Sequence, residues 1–365
     1  MKKIKVLQVI AGMDMGGAET FLMNVFKNID RNQFEFYFLC YGTKNFDYEE
    51  EIKNLGGHII RIDLSNNKNI IKNFFEFEKV IKDYNIDVVH AHTHYNSMFA
   101  VYAAHKCGVK KIITHSHSTF SEINPSLIKK IYSQIAKYII NKYSNVYLAC
   151  GKDAGDALFY KKNKYEICYN GIDLEKFVYS DEIRNIKRKE ININDNEIVI
   201  GHVGRFEDVK NHNFILHIFK EFLKLESKSK LVLIGDGMLK ESIDRKAVEL
   251  GIKDKVKILG KRKDVNYLYS TMDSFVFPSF YEGLPLTLIE AQTNGLPILA
   301  SDSIDQHVNI TDEVEFCSLN NSADVWANKL HEKIGKRYNH IYDIEQSKYN
   351  MKKNVYKLEE IYKED

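Results

Sequence analysis

Short apolar runs rich in Val, Ile, Leu and Phe recur along this chain, separated by longer stretches whose apolar residues fall three or four apart. Runs without polar alternation read as strands buried on both faces, and the three-to-four spacing reads as amphipathic helix. In the first half the strands expected are Ile4–Ile10, Phe36–Tyr41, His58–Ile62, Val88–Ala91, Lys111–Thr114 and Val146–Ala149. Helices are expected over Ala18–Ile29, Phe74–Tyr84, Ser97–Lys106 and Ser126–Tyr143. The pattern then restarts, with strands at Glu197–Val203, Lys230–Ile234, Val256–Leu259, Ser274–Phe277 and Ile298–Ala300. Its helices are Lys210–Leu225, Met238–Leu250, Pro285–Asn294 and Ala323–Lys336. Strand–helix alternation of this kind implies an α/β protein with parallel sheets covered by helices on both faces.

Two rounds of the pattern imply two domains, which suits 365 residues. The junction falls in the charged stretch Asn170–Glu190, which opens on the turn signal Asn170-Gly171. The expected domains are residues 1–175 and 176–340, with a last helix near Ile341–Tyr362 inside segment 341–365. Open parallel sheets bind ligands at the carboxyl ends of their strands, so chemistry is expected in the loops that follow strands.

The net charge of +2 gives no case for nucleic acid as a partner. The charge is unevenly spread: residues 1–170 hold 23 Lys and Arg against 17 Asp and Glu, the remainder 29 against 33. The first half is therefore the one suited to an anionic surface. Five scattered cysteines without CxxC spacing exclude a disulfide framework and a cysteine zinc site, and fit a reducing cytosol. No apolar run approaches the ~20 residues of a membrane helix. The opening MKKIKVLQVIAGMDMGG resembles a signal peptide only faintly, since its short apolar core holds Gln8 and runs into Asp14. A first buried strand is the better reading.

Two cations and two acids in the second half have the spacing a nucleotide-sugar needs. Arg205 projects from a strand end just after Gly204, and Lys210 is expected to open the next helix. Cations and helix N–H groups there would stabilise the charge that builds on a departing diphosphate. In EGLPLTLIE, Pro285 suits a helix start, leaving Gly283 and Leu284 just before it with N–H groups for phosphate. Glu282 and Glu290 are eight residues apart, about 12 Å along a helix. That suits hydrogen bonds from a ribose at one end and a transferred sugar at the other. Gly235-Asp236-Gly237 reads mainly as turn chemistry, and LGKRKDV could hold a base near Arg262.

In the first half GMDMGGAET lacks the GxGxxG dinucleotide fingerprint, but Gly16-Gly17 before a helix still makes an anion-accepting loop. Histidines follow two strands, as His90, His92 and His94 in VHAHTHY and as His115 and His117 in THSHST. HxH pairs are compatible with metal, yet no neighbouring carboxylate or cysteine completes a ligand set. A histidine beside the reacting sugar is the reading preferred here, with no metal. Ser126–Tyr143 mixes Ile, Leu and Tyr with Lys129, Lys130, Lys137 and Lys142, which suits either a bilayer surface or a solvated helix face.

Together GMDMGGAET, THSHST, NGIDLEKF, HVGRF with KNH three residues on, LIGDGML, LGKRKDV and MDSFVFPSFYEGLPLTLIEAQTNGLPI resemble glycosyltransferase family 4. The likeness runs in order over about residues 1–310 and is greatest to the bacterial branch that builds exopolysaccharide and capsule. It implies a GT-B fold: two Rossmann-like domains with parallel sheets facing a central cleft, and a carboxyl-terminal helix returning to the first domain. It also implies retention of anomeric configuration without a metal. By the same resemblance Arg205 and Lys210 bind the diphosphate, Glu290 the ribose, and Glu282 with Gly283 and Leu284 the transferred sugar and a phosphate. Gly16 and Gly17 approach donor phosphate and acceptor. His117 is the family's cleft histidine, with His115 the alternative register. After Pro297 the sequence departs from the family pattern.

The expected activity is transfer of a hexose or N-acetylhexosamine from a UDP-sugar, the co-substrate, to a lipid-linked saccharide, with no cofactor. The enzyme would be cytoplasmic, at the inner face of an anionic membrane. Front-face displacement suits the absence of a glycosidase-like carboxylate pair. The competing readings are a UDP-sugar epimerase or a phosphorylase of the same fold, or a non-catalytic nucleotide-sugar binding protein. No lysine motif for a pyridoxal cofactor is visible.

Overall fold

The structure is a computed structural model and describes residues 2–14, 16–63, 70–118, 126–282, 285–335, 337–338 and 341–364. The chain divides into two compact units, Met1–Gly171 with Met351–Asp365, and Ile172–Asn350.

The first unit is built on β1 (Ile4–Val9), α1 (Gly17–Asn28), β2 (Phe34–Tyr41), α2 (Glu49–Asn54), β3 (His58–Ile62) and α3 (Ile70–Tyr84). It continues through β4 (Val88–Ala91), α4 (Ser97–Lys106), β5 (Lys111–Ser116), α5 (Leu127–Tyr143), β6 (Val146–Ala149), α6 (Lys152–Leu158) and β7 (Glu166–Ile167). The strands run parallel in the order β3-β2-β1-β4-β5-β6-β7. Successive strand residues point to opposite faces. Val6, Phe38, Val88, Ile113 and Leu148 therefore pack beneath α1, while Leu7, Leu39, Val89, Ile112 and Ala149 pack beneath α3, α4 and α5. Both faces are dry, which explains the unbroken apolar runs.

The expected final helix is broken in two. Its first part belongs to the second unit, and residues from Met351 onward return to the first. The C-terminal helix Met351–Lys363 buries Met351, Val355, Leu358, Ile361 and Tyr362 in the core shared with α1 and β2. Each such side chain contributes about 1.5–3 kcal/mol of burial.

The second unit contains α7 (Asp181–Glu190), β8 (Ile198–Val203), α8 (His212–Leu225), β9 (Ser229–Ile234), α9 (Lys240–Glu249), β10 (Val256–Gly260) and α10 (Val265–Leu268). There follow β11 (Ser274–Phe277), α11 (Leu286–Thr293), β12 (Ile298–Ser301), β13 (Val314–Cys317), α12 (Ala323–Lys333) and α13 (Ile341–Gln346). Its parallel sheet has the order β10-β9-β8-β11-β12-β13. One face packs Ile200, Leu233, Val276 and Leu299 against Phe219, Ala247 and Trp326 from α8, α9 and α12.

The charged stretch read as a junction is largely α7. Ser180 caps it, accepting from the Ile183 N–H, with Asp181 and Glu182 in the first turn and Lys187, Arg188 and Lys189 in the last. Arg188 is buried, pairs with Asp273 at 2.6 Å and donates to the carbonyls of Thr271, Asn194 and Glu197. The cation is tolerable there because carboxylate and carbonyl oxygens take up its N–H groups.

Candidate functional site

Strand order in the second unit reverses between β8 and β11, where open α/β sheets bind ligands. The loop after β8 carries Arg205 and Lys210, and the loop after β11 carries Glu282. Main-chain bonds join the two loops: Phe280 N–H donates to Val209 at 2.9 Å, and Asn211 Nδ2 donates to Pro278 at 3.2 Å. Lys210 does not open α8 as expected. It ends a short 3-10 turn, Asp208–Lys210, and Asn211 follows with left-handed backbone at φ 54° before α8 begins at His212. Lys210 Nζ lies 2.6 Å from Glu282 Oε1 and 4.9 Å from the centre of the Phe277 ring. The Lys210 and Glu282 side chains are only 14% and 13% exposed. The cation is thus held between an aromatic face and a carboxylate with little water around it.

The next loop shapes this one. Gly235 and Gly237 have φ of 144° and 156°, a region nearly reserved for glycine. A Cβ at Gly235 would overlap the Gly204 carbonyl, and one at Gly237 the Phe206 main chain. Phe206 N–H donates to the Asp236 carbonyl at 2.9 Å, and Leu239 N–H to Phe206 at 3.1 Å. The turn reading of this motif stands, with the purpose of supporting the Arg205 loop.

The other expected donor residues fare differently. Arg205 is 77% exposed and pairs with Glu207 at 3.0 Å. Among the described residues its recorded ion pair is not with Glu282 or Glu290. Glu290, the fifth residue of α11, is partly buried and accepts from the Tyr269 hydroxyl at 2.7 Å. Burial pushes its carboxyl up to about 7 although the tyrosine bond pulls the other way. Arg262 is turned toward α7: it pairs with Glu190 at 2.6 Å and with Asp264 at 2.7 Å. Its guanidinium is therefore already engaged by two carboxylates, contrary to the idea that it stands ready beside a base. Pro285 is the residue before α11 and not its first, while Gly283 and Leu284 lie outside the described residues. A hollow of about 430 Å³ lined by Arg184, Asp273 and Arg337 surrounds the start of β11 and holds none of these residues.

In the first unit Gly16 is the residue before α1 and Gly17 its first. Glu19 folds back so that its carboxylate occupies the space a Gly16 side chain would fill. Burial raises its pKa, opposed by a bond from its own main-chain N–H. The amino end of α1 is thus already faced by an anionic group.

Four of the five histidines, His90, His92, His115 and His117, converge where β4 and β5 end, while His94 turns away against Tyr95. His92 and His117 are joined through Nδ1 and Nε2 at 2.8 Å, and His92 Nε2 meets Gln8 Oε1 at 2.8 Å. Gln8 Nε2 donates to the Tyr362 hydroxyl at 3.0 Å, which also lies 2.8 Å from His90 Nδ1. His115 stacks on His117 with ring centres 4.1 Å apart, and Phe21 covers both. Because Gln8 Oε1 can only accept, His92 Nε2 carries the proton and its Nδ1 accepts from His117 Nε2–H. His117 Nδ1 is left as an acceptor. Burial holds His117 down to about 3 and the other three well below the usual histidine value. Sequence reading missed Gln8, Tyr362 and Tyr269. A lone glutamine inside the apolar run of β1 was the one visible hint.

Residues 15–176 match the model described as Glycosyltransferase Family 4, and residues 183–357 the model Glycosyl transferases group 1. EpsF of Bacillus subtilis (strain 168), a glycosyltransferase by name, is 34% identical over 89% of this chain and 86% of its own. The Staphylococcus aureus capsular polysaccharide biosynthesis glycosyltransferase CapH is 29% identical over 98% of both chains. The Escherichia coli UDP-Gal:alpha-D-GlcNAc-diphosphoundecaprenol alpha-1,3-galactosyltransferase is 24% identical over 90% of this chain and 87% of its own. Among solved structures, Anabaena HepE in complex with UDP and glucose superposes with a TM-score of 0.77 at 16% identity, covering 98% of each chain. With two Rossmann-like units of matching topology and relatives aligned over most of their length, this chain belongs to the family 4, group 1 glycosyltransferases and has the GT-B fold.

Proposed function

We propose that the protein is a retaining glycosyltransferase that moves a hexose or N-acetylhexosamine from a UDP-sugar to a lipid-linked saccharide in surface polysaccharide synthesis. The observation that carries the reading is the enclosed Lys210–Glu282 pair at the strand-order reversal. A diphosphate brings more charge to Lys210 than one carboxylate does, so donor binding takes over the lysine and frees Glu282 for a sugar hydroxyl. Arg205, extended into solvent, closes on the same phosphates. Glu290 and Tyr269 receive the ribose. As the glycosidic bond breaks, negative charge builds on the leaving phosphate, and Lys210 and Arg205 stabilise it more than the ground state. The acceptor hydroxyl attacks from the same face and gives its proton to a departing phosphate oxygen. His117, neutral at physiological pH, can accept a hydrogen bond from the sugar without adding charge. No metal or cofactor enters the chemical step.

A lipid-linked acceptor and a UDP-sugar donor are supported by the activity of the Escherichia coli relative, and polysaccharide synthesis by that of CapH. Contact with an anionic membrane is supported by α5 and α3. Leu127, Ile128, Ile131, Ile135 and Tyr138 make an exposed stripe on α5 beside Lys129 and Lys130, and α3 exposes Ile71 and Phe75. Both helices flank α4 and start from the carboxyl edge of the sheet, the edge where His117 sits. Among the described residues no helix is long and apolar enough to cross a membrane. The exposed stripe supports peripheral attachment, proposed here at the cytoplasmic face.

The test is UDP release from a panel of UDP-sugars, with and without undecaprenyl-diphosphate saccharides. Acceptor-dependent release is expected, reduced about 100-fold or more in Lys210→Ala and Glu290→Ala with folding intact. Turnover near normal in either variant overturns the site. Acceptor-free conversion of the UDP-sugar would instead mean an epimerase, and UDP binding without release a binding protein.

A further inference from the structure

We propose that His90, His92 and His115 form a buried structural site for a divalent transition-metal ion of the Zn²⁺ class. The candidate ligand atoms of the three side chains all lie within 4.8 Å of one another, and all three residues are buried. Tetrahedral Zn–N bonds of about 2.1 Å put ligand nitrogens about 3.4 Å apart, so ring shifts of roughly an ångström close the site.

The cluster is poorly explained as ordinary packing. His90 Nε2 is buried without a hydrogen-bond partner, and the His115 ring has only a weak contact with the Cys168 main chain, too poorly aligned to satisfy its nitrogens. Each such group forfeits about 1–3 kcal/mol, and orphans grouped at one point call for an unseen partner. The surrounding bonds have the form a metal site requires. A ligating histidine gives its other ring N–H to an acceptor that fixes its tautomer. His90 Nδ1 lies 2.8 Å from the Tyr362 hydroxyl, whose oxygen can accept the Nδ1–H when Nε2 binds the ion. His92 Nε2–H is held by Gln8 Oε1 at 2.8 Å, which leaves Nδ1 as the ligand atom. Gln8 and Tyr362 are themselves bonded at 3.0 Å, so one rigid outer layer orients two ligands. Coordination by His92 Nδ1 would replace its hydrogen bond with His117.

This site concerns the folding of the first unit and does not depend on the transfer chemistry proposed above. The untagged full chain, stripped with chelator and titrated with Zn²⁺, is expected to take up one ion and to melt several degrees higher. Co²⁺ in its place is expected to give the intense visible band of tetrahedral nitrogen coordination. His90→Gln and His115→Gln should abolish the band. Tyr362→Phe keeps every ligand and should weaken binding about 10- to 100-fold, which covers the case where a ligand variant does not fold. Absence of stoichiometric binding by the wild type, which would leave the orphaned nitrogens to buried water, overturns the proposal. So does a Co²⁺ band undiminished in His90→Gln or unchanged affinity in Tyr362→Phe.

Discussion

Glu290 is placed where a carboxylate is most sensitive to its partner. Its pKa of about 7 stands above the ordinary 4.5, so between those values the folded protein holds a proton that the unfolded chain has lost. The contribution of Glu290 to stability therefore falls as pH rises from about 4.5 through 7. Glu290→Gln should flatten that slope, seen as a melting temperature that gains on the wild type between pH 5 and 8. A ribose hydroxyl donates best to the ionised form, so UDP affinity by calorimetry should rise across pH 6–8 in the wild type and not in the variant. The acids and cations of this site were legible in sequence because residue type, a preceding glycine and a strand end coincide. Their partners were not. Glu190, which engages Arg262, lies 72 residues upstream, and Gln8 meets Tyr362 across 354 residues. Nothing local specifies such pairs.

Several strands followed the hydrophobic pattern closely, both fully buried ones such as β4 and β11 and half-buried ones such as β3 and β6. β3, β4, β6 and β11 begin and end where the apolar runs do. The pattern failed where polarity dominated. Charge hid α7, although Ser180, Asp181 and Glu182 at its start and Lys187–Lys189 at its end are ordinary helix signals. In β13 Glu315 interrupts the apolar run, so no strand stood out there. The loop after β9 shows how one element supports another. Gly235→Ala drives a methyl into the Gly204 carbonyl, so the Arg205 loop must shift. Transfer should drop about 10-fold or more, with a melting temperature several degrees lower. On α5, changing Ile128, Ile131 and Ile135 together to Ser should abolish flotation with anionic vesicles while UDP binding measured in solution stays unchanged. Flotation equal to wild type would remove the membrane role.

At the scale of the molecule, acid should act on the second unit through His202 and His212. Burial holds His202 well below 6.5 and His212 down to about 4. Both folded values are depressed, so their contribution is complete above 6.5 and is lost as pH falls. Each adds a slope of up to about 1.4 kcal/mol per pH unit. Denaturant midpoints should decline below pH 6.5, and most steeply near pH 5. The restart of the strand–helix pattern made two domains legible, but the ownership of the final helix rested on its distance from any strand that needed it and on family likeness. Its apolar spacing shows that it packs and does not show against what. A chain ending at Asn350 should lose protease resistance in the first unit, whose core then lacks Met351, Val355, Leu358, Ile361 and Tyr362, while residues 172–350 keep their own core. That arrangement also bears on biosynthesis. The half of the protein translated first cannot finish its interior until a segment translated after the whole second half has left the ribosome, so its apolar sheet must wait, half covered, while some 180 further residues are made.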